Sequence, residues 1–372
     1  MFLQFDALHY LEIMENGYAD YRVAFFPLFP KLWSLLNASP ALISGINFLF
    51  YVFGFLLLNK TLKLETKTFI ISLLLPSIVF FCVPYTEALF YLSGALVLIG
   101  IHKLSLRFFL LGLFLTALSR PAYTIFIPAI LICFSFFNLD SRTKIKFIGG
   151  GVAVLIFGTL AVGFIQYLDT GRWFEFFAAQ KLWGNELQIP SLPLTSWSDG
   201  IIIRLDGVAL LVGLTSAYFV VLHIKNYILK LENDMLLIEL FSLLYLAGIS
   251  FAILLFRGGS LFSLNRFVFA TPFVVIFINY LVRKNYRINW KRILIVFLVV
   301  ELYWLLFASY VHIQTLFKYT GATLILLCVV SLLTTWKTEK SYPKYINIFG
   351  IVVLLTFQMY IFLRYFTGSW IA

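Results

Sequence analysis

Near its start the chain reads FDALHYLEIMENGY, Phe5 to Tyr18, with Asp6, His9 and Tyr10 at spacings of three and four. On a helix those side chains share one face, so a carboxylate, an imidazole and a phenol would stand together. A carboxylate so placed can accept a proton from a hydroxyl nucleophile. Asn16-Gly17 marks where such a helix would close. The plainer reading makes Asp6 an N-cap and His9 a hydrogen-bonded structural group. Further on, Glu87 in PYTEALF, Arg120 before Pro121 in LSRPAY and Arg266 in SLNRFVFATPF carry charge among apolar neighbours. An acid there must be solvated or paired, and Arg120 and Arg266 are the available partners for Glu87. The two arginines are the candidates for a two-pronged grip on phosphate, against the alternative that they snorkel to lipid headgroups.

Composition sets what must hold these residues. Of 372 residues 62% are hydrophobic and only 12% charged, and the apolar residues come in long blocks. A soluble globule does not carry so much apolar sequence, so the expected class is an all-α polytopic membrane protein, one integral membrane domain over residues 1–372. Apolar blocks bounded by charge give about twelve spans, near residues 39–59, 68–83, 88–102, 108–119, 122–137, 147–168, 207–224, 236–256, 267–282, 293–310, 319–336 and 346–363. Several fall short of the roughly 20 residues a perpendicular helix needs. The stretch 108–137 is therefore expected to dip around SRPAY rather than cross twice in full. Cys82, Cys133 and Cys328 lie inside apolar blocks and spell neither a disulfide framework nor a zinc spacing. No removable signal peptide is expected.

Lysine and arginine fix the expected orientation. Eighteen of the 28 fall in alternate loops, around Lys60, Lys103, Arg142, Lys225, Arg287 and Lys337, which places those loops in the cytoplasm. The other ten share their side with ten acids, among them Asp6, Glu87, Asp169, Asp199 and Asp206. The net charge of +11 is thus a topology signal, and a nucleic-acid partner is a poor reading of it. The two large hydrophilic pieces, residues 1–38 and 169–206, both land outside and make that face the working one. Cysteines placed at positions 16 and 189 are expected to react with an impermeant thiol reagent from outside, and one at 287 only after permeabilisation; outside labelling at 287 would invert the orientation.

FDALHYLEIMENGY followed by AFFPLFP (Ala24 to Pro30) resembles the aspartate-bearing first outer loop of the PIG-V family, membrane glycosyltransferases of the GPI mannosyltransferase 2 type with the GT-C fold. The resemblance continues in order through PYTEALF, LSRPAY, FAAQKLWG (Phe177 to Gly184), SLNRFVFATPF and the final FTGSWIA. Phe5 stands where family members usually have tryptophan. Four residues precede it where they have a helix, pointing to a misplaced start or a lost helix. The short loops are more like those of prokaryotic relatives, which implies an inner membrane with the site facing outside, or an ER membrane with a lumenal site in a eukaryote.

The resemblance implies a polyprenyl- or dolichyl-phosphate sugar donor, a glycan or glycolipid acceptor, and transfer of a hexose, mannose above all, with inversion. The sugar already carries a leaving group, so such an enzyme needs mainly a carboxylate to take the acceptor's proton and a cation near the departing phosphate. Asp6 matches the family's loop aspartate and is the implied base, with His9 and Tyr10 beside it on the substrate. Glu87 would bind acceptor hydroxyls unless it pairs with arginine. Arg120 and Arg266 would clamp phosphate, and Gln180 and Trp183 would contact the sugar by hydrogen bond and stacking unless they mark the membrane interface. There is no DxD metal clamp and no glycine-rich phosphate loop, so no metal and no cofactor are expected. The main alternative is a transporter or flippase of lipid-linked saccharides, which leaves the acid-bearing outer loop without a role. An acyltransferase would need a catalytic histidine buried on a span, whereas His102 and His223 fall at expected cytoplasmic ends.

Overall fold

A computed structural model describes residues 2–196, 201–284, 290–308, 313–335 and 341–371. Asp199, Arg287 and Lys337, which enter the charge reading above, lie outside the described residues. Among the described residues the chain is predominantly helical and forms no strand, only an isolated bridge between Thr195 and Ser260. Among the described residues five helices are long and apolar enough to cross a membrane: Pro40–Leu62, Ser141–Thr170, Ile203–Ile228, Leu237–Phe256 and Asn347–Phe366. Leu237–Phe256 is the central one, 78% buried, and it packs against Ile201–Ile228 and Pro272–Lys284. The other four keep most of their length outside the protein core, with apolar side chains such as Leu49, Phe53, Ile156 and Phe157 exposed. In water such continuous apolar faces would drive association; facing lipid they cost nothing.

Local chemistry explains where the helices begin and end. Ser39 caps Pro40–Leu62 by accepting the Leu42 N–H, with Pro40 in the first turn where its missing N–H is harmless. Asp140 caps Ser141–Thr170 by accepting the Thr143 N–H at 2.8 Å, and Gly171, at φ 70°, ends it. Between the helices Glu87–His102 and Leu106–Ser119 the backbones nearly touch: a Cβ on Gly100 would stand 2.4 Å from the Phe109 nitrogen. Small residues permit that approach, as they do in helix pairs within lipid.

Two expected spans are broken. In 68–83, the helix Thr66–Leu73 stops before Pro76 and a 3-10 turn, Pro76–Phe81, follows. Proline cannot continue the ladder, and two carbonyls at the break, Leu73 and Leu75, accept instead from Gln358 Nε2 at 3.2 Å each. In 267–282, a six-residue helix, Leu264–Phe269, is separated by Ala270 and Thr271 from Pro272–Lys284. The break expected at SRPAY is present: Arg120 is extended between Leu106–Ser119 and the turn Pro121–Ile125. Glu87–His102, at 16 residues, is only about 24 Å long by the usual rise, short of a hydrocarbon core of about 30 Å.

The two large hydrophilic segments dock on one another. Asp169 accepts the Tyr18 N–H at 3.1 Å and pairs with Lys31 at 3.5 Å. Gln166 donates to the Val23 carbonyl at 2.7 Å, and Trp183 Nε1 to that of Tyr21 at 3.2 Å. On another part of the bundle, Arg283 binds Glu239 at 2.6 Å and Lys284 reaches Asp234.

Candidate functional site

Asp6, Glu87, Arg120 and Arg266, separated by up to 260 positions, form one ion cluster. Glu87, first residue of its helix, is fully buried. Its Oε1 receives Arg266 Nε at 2.8 Å and Nη2 at 2.6 Å, and Arg120 Nη1 lies 3.3 Å away. Arg266 Nη1 donates to Asp6 Oδ2 at 2.8 Å. The guanidinium of Arg266 lies over the rings of Tyr85 and Phe80, at 4.8 and 5.0 Å, and that of Arg120 lies 4.2 Å from the centre of Phe267. Aromatic faces thus replace water around both cations. Two polar atoms in the cluster keep unspent capacity among the described residues: Glu87 Oε2 and Arg120 Nη1 are buried without a hydrogen-bond partner, the 3.3 Å contact of Arg120 being charge proximity without hydrogen-bond geometry.

The helix expected around Asp6 is Asp6–Asn16, closed at Gly17. Asp6 is not its N-cap. Phe5 holds that position with φ 53°, no side chain caps the helix, and the carboxylate, one-fifth exposed, turns across to Arg266. Tyr10 on the same face is buried and donates to Thr86 Oγ1 at 3.4 Å; burial pushes its phenol far above the ordinary range and keeps it neutral. His9 lies among the rings of Tyr21, Phe25 and Trp183, at 5.7, 5.0 and 5.8 Å between centres. Burial lowers its pKa, with Asp6 opposing and Arg22 assisting, so the imidazole is neutral at pH 7. Trp183, 38% exposed, therefore faces His9 from the second hydrophilic segment. Gln180 is not at the cluster: its Oε1 accepts from Asn185 at 2.6 Å, and Asn185 in turn accepts from Arg257 Nε at 2.7 Å.

Arg266 sits in the short helix Leu264–Phe269, set apart from Pro272–Lys284 by the break described above, and not at the head of a continuous span. Sequence reasoning gave no role to three residues around it. Asp206 and Asn265 form the support behind Arg266, and Tyr85 forms one wall. Asn265 adjoins Arg266 in SLNRF, and Asp206 appears only as one more outer acid. The final FTGSWIA returns to the same place: Trp370 lies 4.8 Å from the ring of Phe5 and stacks at 5.3 Å on Phe262. Glu301, within the helix Trp290–Tyr303, has a buried Oε1 with no hydrogen-bond partner among the described residues. His223 is held between the Phe136 carbonyl and Asn233, in a structural role.

What fold and site define, among the described residues, is an all-helical protein with five helices of membrane-spanning length and a buried two-acid, two-arginine cluster at helix ends. No protein family, curated protein or solved structure matches this chain. Among the described residues no group of His, Cys, Asp and Glu is arranged to hold a metal ion.

Proposed function

We propose that this chain is an inverting membrane glycosyltransferase of the PIG-V type, with the GT-C arrangement of about twelve spans, that moves a hexose from a polyprenyl- or dolichyl-phosphate donor to an extracytoplasmic glycan or glycolipid. The observation that carries the reading is the convergence of Asp6 with two arginines on the buried Glu87. A partly exposed carboxylate beside guanidinium groups with an unspent donor is what base-assisted displacement of a phosphate requires. In this reading the acceptor hydroxyl gives its proton to Asp6 as its oxygen bonds to the anomeric carbon. The bond from that carbon to the phosphate oxygen breaks, and its electron pair leaves with polyprenyl phosphate. Attack opposite the leaving group inverts the centre. Once Asp6 is protonated it no longer balances Arg266, so a cation is freed as the phosphate gains charge, which favours the transition state over the ground state. Trp183 and neutral His9, meeting across the two outer segments, supply an aromatic floor for the sugar.

The reading is tested by supplying membranes that contain the protein with polyprenyl-phosphate mannose and glucose and scoring transfer to endogenous glycolipid; transfer from neither donor would refute it. The arginines are tested by Arg120→Lys. An ammonium keeps the charge but cannot reproduce the planar, two-pronged contact with phosphate, nor lie flat on Phe267. The expected result is a turnover loss of about tenfold or more, in line with one charge-assisted hydrogen bond of roughly 1.5–3 kcal/mol. Wild-type kinetics would leave Arg120 a purely structural partner of Glu87.

A further inference from the structure

The mechanism above leaves Asp206 unused, although it is fully buried in the second turn of Ile201–Ile228 and both of its oxygens are engaged. Oδ1 accepts the backbone N–H of Asn265 at 2.9 Å and its Nδ2 at 2.8 Å; Oδ2 accepts the Ser196 hydroxyl at 2.5 Å. Asn265 is the second residue of Leu264–Phe269, a helix that opens at Ser263 in the left-handed region, φ 64°, with no side-chain cap of its own. Its first N–H groups have no partner within the helix. Asp206 supplies one from a different helix and so fixes the backbone one residue before Arg266.

Ser196, the other partner, ends a strap that runs beside the segment leading to Arg266. Ser191 N–H donates to the Gly258 carbonyl at 3.1 Å, Thr195 N–H to that of Gly259 at 3.1 Å, and Leu261 N–H back to that of Thr195 at 2.8 Å. The second outer loop is thereby joined through one carboxylate to Asn265, the residue next to the arginine that reaches both Asp6 and Glu87. A buried acid is a weak source of net stability, since apolar groups of similar volume usually do as well. What it gives here is a defined place for Asn265 and, through it, for Arg266.

We propose that Asp206 is a positioning residue that holds the Arg266 guanidinium for a phosphate group and couples the second outer loop to the ion cluster. This rests on reading the arginines as a phosphate grip. The hold is by hydrogen-bond geometry: Asp206→Asn keeps an oxygen for Asn265, whereas Asp206→Ala keeps nothing.

The test is binding of farnesyl phosphate to the purified protein in detergent, with melting temperature followed in parallel. Asp206→Ala should bind about tenfold to a hundredfold more weakly, the loss of one charge-assisted contact, while Asp206→Asn should stay within about threefold of wild type by retaining that contact. Wild-type affinity in the alanine variant would overturn the proposal, as would an asparagine variant as weak as alanine, which would make charge the cause. If Asp206→Ala does not fold, Asn265→Ala decides: about tenfold weaker binding supports the positioning role, and unchanged binding overturns it. If the wild type itself binds no farnesyl phosphate, the phosphate reading has failed, and thermal unfolding of Asp206→Ala, Arg266→Lys and the double variant still separates the two ideas. Non-additive losses support positioning of Arg266 by Asp206; additive losses overturn it.

Discussion

Asp6→Asn should leave the fold and donor binding in place while removing most sugar transfer, by about a hundredfold to ten-thousandfold, the range general bases contribute. The amide keeps the size of the carboxylate and still offers Arg266 an oxygen in place of the Oδ2 now 2.8 Å from Nη1. It cannot accept the acceptor's proton. A capping role would predict survival of activity, because asparagine caps as well as aspartate, but Asp6 caps nothing in the structure. The measurement is transfer at matched protein levels in membranes. A rate above about a tenth of wild type, well over that hundredfold floor, would remove Asp6 from the chemistry.

A second large effect concerns stability. Glu87→Gln should lower the melting temperature sharply and reduce recovery from membranes. Glu87 is fully enclosed and, among the described residues, is the one acid that touches both Arg120 and Arg266. Its loss leaves two buried guanidinium groups balanced only by the more exposed Asp6, and breaking a buried pair from one side costs about 3–5 kcal/mol. Adding Arg120→Gln to that variant restores charge balance, so the double variant should lose less than the sum of the single losses. A Glu87→Gln protein that melts with the wild type would show that the cluster is open to water and that the cations are not held by Glu87.

Much of this site was legible because charge in apolar sequence is costly. Glu87, Arg120 and Arg266 each needed a partner, and the economical solution was for them to partner one another. The helix Asp6–Asn16 was legible from its stop signal and its three- and four-residue spacings. The role of Asp206 was not, because its partners are a backbone N–H, an amide and a hydroxyl brought together by tertiary folding, none of which has a sequence period. The setting of Gln180 was not legible for a related reason: its Oε1 accepts from Asn185, which in turn accepts from Arg257, partners that only tertiary folding brings together. Spans failed where proline followed an apolar run. Hydropathy sees one block at 68–83, but Pro76 ends the helix and Gln358, from far along the chain, takes the released carbonyls.

Sugar transfer at the proposed site differs in its products from mere carriage of a lipid-linked saccharide. Purified wild-type protein in proteoliposomes, given polyprenyl-phosphate mannose or glucose labelled in the sugar together with a glycolipid acceptor, separates the two. The account predicts that label moves to the acceptor in the opposite anomeric configuration, with one polyprenyl phosphate released per sugar transferred. Intact donor appearing in the opposite leaflet, with its sugar still attached and the acceptor unlabelled, would contradict it and make the protein a lipid-saccharide transporter.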